Sequence, residues 1–406
     1  MLRVPVLTHA ARQKFFPAAV VTPDHPPLIL HVIHHLHMGG MENGLVNLIN
    51  HMPASRYRHA VACIEDYSDF RNRILRPDVE VIALHRSHGL WKMRRAIYHL
   101  CRRLRPTIVH TRNMSGLDAL PPARLAGVAH CLHGEHGWDV DNLDGTNWKA
   151  ALLRRLHAPL VERYVTVSQD LKRYLTTRIG IRSSRITNIC NGVDTERFCP
   201  GTDKPRAWMP PAFQSAQLLL IGTVGRIQPI KDQATLLRAF SMMIANQPQL
   251  RQTLRLVIVG DGPLLDELKA LAQSLNIADA TWFPGALKNV PDVLQALDVY
   301  VQPSLNEGIS NTILEAMACA LPVVATAVGG NIELVEDGVC GRFFAPRDTE
   351  ALMQCLLQYA TDAPLREAHS SAARQRAVER FSLANMLAQY AAIYDLLCQR
   401  DVIRRI

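Results

Sequence analysis

Two successive series of short apolar segments, each alternating with amphipathic stretches, constrain the fold of this 406-residue chain most strongly. Strands that alternate with helices are typical of a parallel sheet covered by helices on both faces. The first series has candidate strands at 28–33, 60–64, 79–84, 107–111, 128–132, 164–167 and 186–189. The second series has candidate strands at 218–224, 254–259, 281–283, 299–302 and 322–326. The pattern predicts two doubly wound α/β domains, with ligands at the carboxyl ends of the strands.

A stretch rich in proline and glycine separates the two series and is typical of a domain linker. We therefore expect an N-terminal extension at 1–27, a first domain at 28–199, a linker at 200–216, a second domain at 217–375 and C-terminal helices at 376–406. We expect the C-terminal helices to pack back on the first domain. The extension lacks the unbroken apolar core of a signal peptide.

The charge and composition of the chain exclude several classes of function. The chain has 45 Lys and Arg against 36 Asp and Glu, an excess that suits nucleic acid, an anionic membrane or phosphorylated ligands. Aromatic residues make up only 6% and form no stacking platform between the basic clusters, which argues against nucleic acid. No apolar run reaches eighteen residues, so no spanning helix is expected. The nine cysteines form no C-x-x-C pair and indicate reduced thiols in a cytoplasmic protein.

The strongest local motif runs from Glu307 to Glu315, directly after the predicted strand at 299–302. Ser310, Asn311 and Thr312 are suited to capping the helix that follows, and a helix N-terminus favours a phosphate. An acidic residue in a helix, such as Glu315, is ordinarily a solvent-exposed residue with no ligand. We favour the alternative in which both carboxylates accept hydrogen bonds from ligand hydroxyls.

A second motif carries two cations at the end of the first strand of the second domain. Arg226 can bind phosphate oxygens in a fork, and Lys231 adds a point charge before the next helix. Cations near a turn are usually solvated. In the same domain as the carboxylate pair, however, they indicate a site for a nucleoside diphosphate.

These motifs resemble those of the retaining glycosyltransferases of group 1, family-4 type, which carry an E-x7-E motif and have the GT-B fold. Four further segments fit in register: Met38-Gly39-Gly40-Met41-Glu42, Val167-Ser168, Asn191-Gly192-Val193-Asp194 and Val328-Gly329-Gly330-Asn331. The first half is also similar to a subgroup associated with bacterial exopolysaccharide and exosortase (PEP-CTERM) systems. The resemblance implies two Rossmann-like domains facing across a cleft, and transfer of a hexosyl group from a nucleotide sugar to a glycan or lipid-linked acceptor.

The resemblance also implies roles for individual residues. Glu307 would hold the donor sugar and Glu315 the ribose, while Arg226 and Lys231 would offset charge on the leaving diphosphate, with no metal or other cofactor. His136 is the first candidate for the histidine that contacts the donor sugar, and His133 is the second. Substrate binding is assigned to Gly39, Gly40, His133, Ser168, Asn191, Gly308, Ile309, Ser310, Asn311, Thr312, Glu315, Gly329 and Gly330.

Several alternatives accompany this interpretation. A zinc site formed with the histidines at 31–37 is disfavoured, because they alternate faces at a strand end. Nucleotide-sugar epimerases and phosphorylases share the two-domain plan, but epimerases have a different acidic constellation and phosphorylases require a bound pyridoxal lysine and a much longer chain. An inactive scaffold or partner subunit would not need all four donor-site side chains. The basic segment 91–105 has the composition of a peripheral contact with the inner membrane surface. We favour a sheet-covering helix there.

Overall fold

The computed structural model describes residues 26–137, 145–201 and 205–404, with side chains described up to 399. The described chain forms two compact units. The first unit contains the residues up to Gly192 together with those from Leu383 onward, and the second unit is Val193–Ser382.

The first unit is built on a seven-stranded sheet in the order β3-β2-β1-β4-β5-β6-β7, and every neighbouring pair is parallel. Its strands are β1 Leu28–Ile33, β2 Arg58–Cys63, β3 Glu80–Ala83, β4 Ile108–Arg112, β5 His130–Glu135, β6 Arg163–Thr166 and β7 Ile186–Asn188. Its first six helices are α1 Gly40–His51, α2 Leu90–Leu104, α3 Asn113–Gly116, α4 Leu120–Leu125, α5 Trp148–His157 and α6 Gln169–Tyr174. β1 is buried along its whole length because both faces of the sheet are covered.

The second unit repeats this plan with six parallel strands in the order β10-β9-β8-β11-β12-β13. Its strands are β8 Leu219–Val224, β9 Leu254–Val259, β10 Thr281–Gly285, β11 Val299–Gln302, β12 Val323–Thr326 and β13 Gly341–Phe344. Its helices are α7 Gln233–Asn246, α8 Leu265–Ser274, α9 Val290–Ala296, α10 Asn311–Ala318, α11 Asn331–Leu334, α12 Thr349–Thr361 and α13 Ala363–Arg380. In both sheets the strand order reverses beside the first strand, which is where ligands bind in doubly wound folds.

The C-terminal helix α14, Leu383–Arg404, completes the first unit. Tyr390, Tyr394 and Leu397 are buried in the same apolar cluster as Ile29 of β1. The Tyr57 hydroxyl donates a hydrogen bond to the Ala391 carbonyl over 3.1 Å, which ties the helix to the residues just before β2. No helix in the described part of the chain is long and apolar enough to span a bilayer.

Two strands differ from the sequence-based expectation. β5 was expected at 128–132 but occupies His130–Glu135. Its polar side chains interrupt the apolar pattern from which strands are predicted, and they can be buried in the strand because they have hydrogen-bonding partners in the fold. β13 was not predicted; it is a four-residue edge strand that contains a glycine and an arginine. The other predicted strands nearly coincide with the observed ones.

Candidate active site

The Glu307 carboxylate lies in the loop after β11, at the carboxyl edge of the second sheet. Three donors converge on its Oε1 atom: Lys231 Nζ at 2.5 Å, Gln302 Nε2 at 2.7 Å and Ser304 Oγ at 2.7 Å. Its side chain is 11% exposed. Within the part of the chain that the structure describes, all these bonds go to Oε1, so Oε2 can accept a hydrogen bond from a ligand.

A further layer of hydrogen bonds orients Gln302. Its Oε1 atom accepts from the Tyr300 hydroxyl at 2.6 Å and from Thr312 Oγ1 at 3.2 Å, which turns the amide nitrogen toward Glu307. Burial raises the pKa of Tyr300 and keeps its phenol protonated as a donor. Tyr300, Gln302 and Ser304 were not among the site residues predicted from the sequence. The available signal was a polar pair directly at the end of a buried strand.

Ser310 caps helix α10, as the sequence predicts. Its hydroxyl accepts a hydrogen bond from the Ile313 backbone N–H at 3.3 Å and lies 3.1 Å from Thr312 Oγ1. Asn311 is the first residue of α10, and Glu315 lies half-buried on the same helix. The loop residues Gly308 and Ile309 connect Glu307 to this cap. The motif therefore places a fixed carboxylate, which can accept hydrogen bonds from hydroxyl groups, next to a helix N-terminus, which favours an anion.

Gly329 and Gly330 hold the Glu307 loop from the side of β12. The Gly330 N–H donates to the Glu307 carbonyl over 3.1 Å. A Cβ atom on Gly329, whose φ is +48°, would lie 1.8 Å from the Glu307 carbonyl oxygen, and one on Gly330 would lie 2.2 Å from the Gly308 oxygen. Side chains at these positions would push the two loops apart, so the glycines fix the position of the carboxylate.

The two predicted cations follow β8, on the other side of the position where the strand order reverses. The Arg226 side chain is exposed, and its carbonyl accepts from Gln233 Nε2 at 3.0 Å. Lys231 closes a short 3-10 turn before α7. The structure therefore brings Lys231 and Glu307 into direct contact.

A glycine pair that the sequence analysis overlooked supports the Arg226 loop. Gly260 and Gly262 follow β9. A Cβ atom on Gly260 would lie 1.8 Å from the Gly225 carbonyl oxygen, and one on Gly262 would lie 2.1 Å from the Ile227 carbonyl oxygen. Their φ angles of +148° and +157° also favour glycine. Two glycines after a predicted strand were the signal that could have identified this contact.

In the first unit, His133 lies inside β5, one residue beyond the predicted end of this strand at 132. Its Nδ1 atom is 2.8 Å from Thr111 Oγ1, and its Nε2 atom is 3.4 Å from Glu135 Oε1. Glu135 also forms a bidentate ion pair with Arg154, at 2.6 and 3.0 Å. Burial alone would raise the pKa of Glu135, but Arg154 and His133 outweigh it and lower this pKa to about 2.

His136 is the first residue after β5 and stands at the carboxyl edge of the sheet. Its backbone N–H donates to Asn113 Oδ1 over 2.7 Å, and its ring folds back over Gly134, where a Cβ would lie 2.6 Å from Nε2. Burial, reinforced by Arg112, lowers the pKa of His136 to about 3, so the imidazole is neutral at physiological pH. Its Nε2 atom is buried and has no hydrogen-bond partner among the described residues.

The other first-unit candidates lie at the same edge of the sheet. Gly39 precedes and Gly40 begins α1, after β1, and a Cβ on Gly39 would lie 2.2 Å from Glu42 Oε2. Ser168, after β6, caps α6 by accepting from the Leu171 N–H at 3.3 Å. Asn191 follows β7. Ser168 thus has a structural task that the sequence analysis did not assign.

The histidines near β1 do not gather into a metal site. Among the described residues, no group of three or more His, Cys, Asp or Glu side chains is placed to hold a metal ion. His31 instead contacts His59 within the sheet, with Nε2 3.0 Å from Nδ1.

Two family models match the chain in register with the two units. Residues 38–197 match Glycosyltransferase Family 4, and residues 219–362 match Glycosyl transferases group 1. The chain belongs to this glycosyltransferase family. It is an enzyme of the transferase class, and its two Rossmann-like domains are those of the GT-B fold.

Curated relatives of this glycosyltransferase include bacterial enzymes. It is 27% identical over 303 residues to the Escherichia coli UDP-Gal:alpha-D-GlcNAc-diphosphoundecaprenol alpha-1,3-galactosyltransferase, covering 74% of this chain and 78% of that protein. It is 28% identical to the putative glycosyltransferase EpsF of Bacillus subtilis, covering 73% and 78% of the two chains. A D-inositol 3-phosphate glycosyltransferase of Stackebrandtia nassauensis is 37% identical, and the match spans about half of each protein, 54% of this chain and 50% of that one.

Solved structures support the fold of the glycosyltransferase. HepE from Anabaena, determined in complex with UDP and glucose, has a TM-score of 0.76 at 21% identity, covering 90% of this chain and 98% of that one. Sucrose-phosphate synthase from Thermosynechococcus elongatus also has a TM-score of 0.76, at 19% identity, covering 93% of this chain and all of the other. The likeness extends across both units and confirms the predicted GT-B architecture.

Proposed function

We propose that this glycosyltransferase moves a hexosyl group from a nucleoside-diphosphate sugar to a glycan or lipid-linked acceptor, with retention of the anomeric configuration. The observation that carries the proposal is the Glu307 carboxylate, held on one oxygen by Lys231, Gln302 and Ser304 and open at the other. A fixed acceptor for sugar hydroxyls beside a cation suits a sugar joined to a diphosphate.

The cations and the helix N-terminus would bind the diphosphate. The Lys231 ammonium has three protons and uses one for Glu307, so the others can reach phosphate oxygens. Arg226, exposed on the same loop, adds a guanidinium that binds phosphate in a fork. The N-terminus of α10 adds backbone N–H groups, and Glu315 on that helix would accept hydrogen bonds from the ribose.

Bond breaking would rely on charge stabilisation at the leaving group. Negative charge develops on the diphosphate as the glycosidic bond to phosphate breaks, and positioned cations lower the free energy of that transition state. The neutral His136 imidazole would orient the donor sugar by hydrogen bonding, and the glycine loop at Gly39 and Gly40 would approach the phosphates and the acceptor. We propose that these groups act without a metal ion.

The names of the relatives suggest the substrate class. The Escherichia coli relative is named for a UDP-galactose donor and an undecaprenol-linked acceptor, and HepE was solved with UDP and glucose. We therefore propose a uridine diphosphate donor and a role in bacterial exopolysaccharide or cell-surface polysaccharide synthesis. A lipid-linked acceptor would bring the enzyme to the cytoplasmic membrane, on its inner face.

The test is a donor panel followed by product analysis. UDP-, GDP- and ADP-hexoses are compared by thermal shift, since a ligand that binds only the folded state raises its stability. We expect a UDP-hexose to give the largest shift and a slow release of UDP without acceptor, which continues in EDTA. An NMR spectrum of the glycosylated acceptor should show the same anomeric configuration as the donor sugar. The opposite anomer would refute retention, and activity restored only by Mg²⁺ would refute the metal-free site.

A further inference from the structure

Helix α5 presents its apolar side chains outward. Trp148, Leu152 and Leu156 follow one another at four-residue spacing, and their exposed fractions are 64%, 45% and 66%. The buried positions of the same helix are Ala151, Arg154 and His157. An ordinary surface helix of a globular protein has the reverse arrangement, with its apolar stripe turned to the core.

A buried ion pair fixes this orientation. Arg154 reaches inward from α5 and donates to both oxygens of Glu135 on β5, at 2.6 and 3.0 Å. Its guanidinium also lies 5.6 Å from the centre of the Tyr174 ring. Rotating the helix to bury its leucines would leave the Glu135 carboxylate buried without its partner, which is strongly unfavourable. The apolar face is therefore held outward by the fold.

Basic side chains border the apolar face. Lys149 and Arg155 are exposed on α5, and an Arg155 Nη atom donates to the Arg178 carbonyl over 2.5 Å, which joins α5 to the segment after α6. From 145 to 185 the sequence has nine Lys and Arg but two acidic residues. Glu162, one of the two, is paired with His130 at 2.6 Å. Further exposed cations of this segment are Arg173, Arg178 and Arg182.

We propose that the outward face of α5, defined by Trp148, Leu152, Leu153 and Leu156, docks on a bilayer that contains anionic phospholipid. Tryptophan and leucine enter the boundary between headgroups and acyl chains, and bordering cations bind lipid phosphates. The positive charge around the face favours an anionic lipid surface as its binding partner, because the excess of cations around the apolar stripe complements the negative lipid phosphates. A second copy of this chain would bring like charges together.

The face differs from the membrane candidate that the sequence offers. In α2, within the segment 91–105, Met93, Ile97, Leu100 and Cys101 are buried in the core of the first unit. That helix covers the sheet, as the sequence analysis favours, although Trp91 at its start is 80% exposed. Trp91 therefore provides a matched control.

The inference rests on the proposed function, in which the acceptor is lipid-linked, but membrane binding can be tested without any substrate. The full chain is sedimented with vesicles of phosphatidylglycerol and phosphatidylethanolamine, and with phosphatidylcholine vesicles for comparison. The test variant is Trp148→Ala/Leu152→Gln/Leu156→Gln, and the control is Trp91→Ala/Leu125→Gln, whose residues are 80% and 79% exposed. Thermal unfolding confirms that both variants fold.

We expect the parent to bind the anionic vesicles with a blue shift of tryptophan fluorescence and to bind phosphatidylcholine at least roughly tenfold more weakly. The test variant should lose roughly tenfold or more of the partitioning, whereas the control, which keeps Trp148, should retain both the partitioning and the blue shift. Equal partitioning of parent and test variant would overturn the inference. So would a parent dimer, measured by analytical ultracentrifugation, that dissociates in the test variant without any vesicle binding. Donor hydrolysis should be equal in all three proteins, so a failure of the proposed reaction is recognised separately.

Discussion

Gly329→Ala tests whether the loop that carries Glu307 must be held rigidly. The added Cβ would lie 1.8 Å from the Glu307 carbonyl oxygen, whereas real Cβ atoms essentially never approach within 3.0 Å. The residue also has φ +48°, which costs a side-chain-bearing residue about 1–2 kcal/mol. The Glu307 loop must therefore move, and overpacking of this kind costs about 1–3 kcal/mol of unfolding free energy.

The expected effect on turnover is larger than the effect on stability. A displacement of about 1 Å in a group that positions substrate lowers the rate by roughly a hundredfold. UDP release from the UDP-hexose selected by the donor panel gives the rate, and urea unfolding gives the stability. Gly44→Ala is the control, because nothing lies within 4 Å of its Cβ position in α1 and alanine stabilises a helix. A fully active and fully stable Gly329→Ala protein would refute the packing argument.

Three further perturbations address separate parts of the account. Lys231→Met should weaken UDP binding by roughly ten- to a hundredfold, the value of a charge-assisted hydrogen bond, measured by isothermal titration calorimetry. His136→Ala should lower turnover roughly tenfold or more with UDP affinity unchanged, and equal turnover would remove it from the site. The pKa of Glu135 falls from 4.5 to about 2 on folding, so its stabilising contribution is complete above about pH 4.5 and is lost as the pH falls toward 2. Arg154→Met should cost about 3–5 kcal/mol at neutral pH, and this deficit relative to the parent should shrink as the pH falls toward 2, because protonation removes the unpaired charge of the buried Glu135; urea unfolding at each pH, followed by circular dichroism, measures it.

The architecture could be predicted from the sequence because a parallel sheet buries both of its faces. Strands such as β1 and β9 are continuous apolar runs bounded by loops, and both were predicted at the observed positions. β5 was misplaced because His130, His133 and Glu135 are polar, and the residues that pair with them are distant in sequence. A pattern of hydropathy contains no information about such partners.

The candidate site could be predicted only in part. Motif spacing identified Glu307 and Lys231, and the structure brings the two into contact. The support from Tyr300 and Gln302 was not predicted, because it depends on which side chains point inward at the end of one strand. Likewise the outward face of α5 depends on a buried ion pair with β5, which no periodicity within the helix indicates.

Glu307→Gln, assayed for both UDP affinity and turnover, tests the central claim most directly. In the proposed mechanism the carboxylate contacts the donor sugar and not the diphosphate. We therefore expect UDP affinity within about twofold of the parent, since the cations remain, and turnover lower by roughly a hundredfold or more. The substitution keeps the size of the side chain, so the loop should stay in place. Turnover equal to that of the parent, or a loss of UDP affinity as large as the loss of turnover, would contradict the claim.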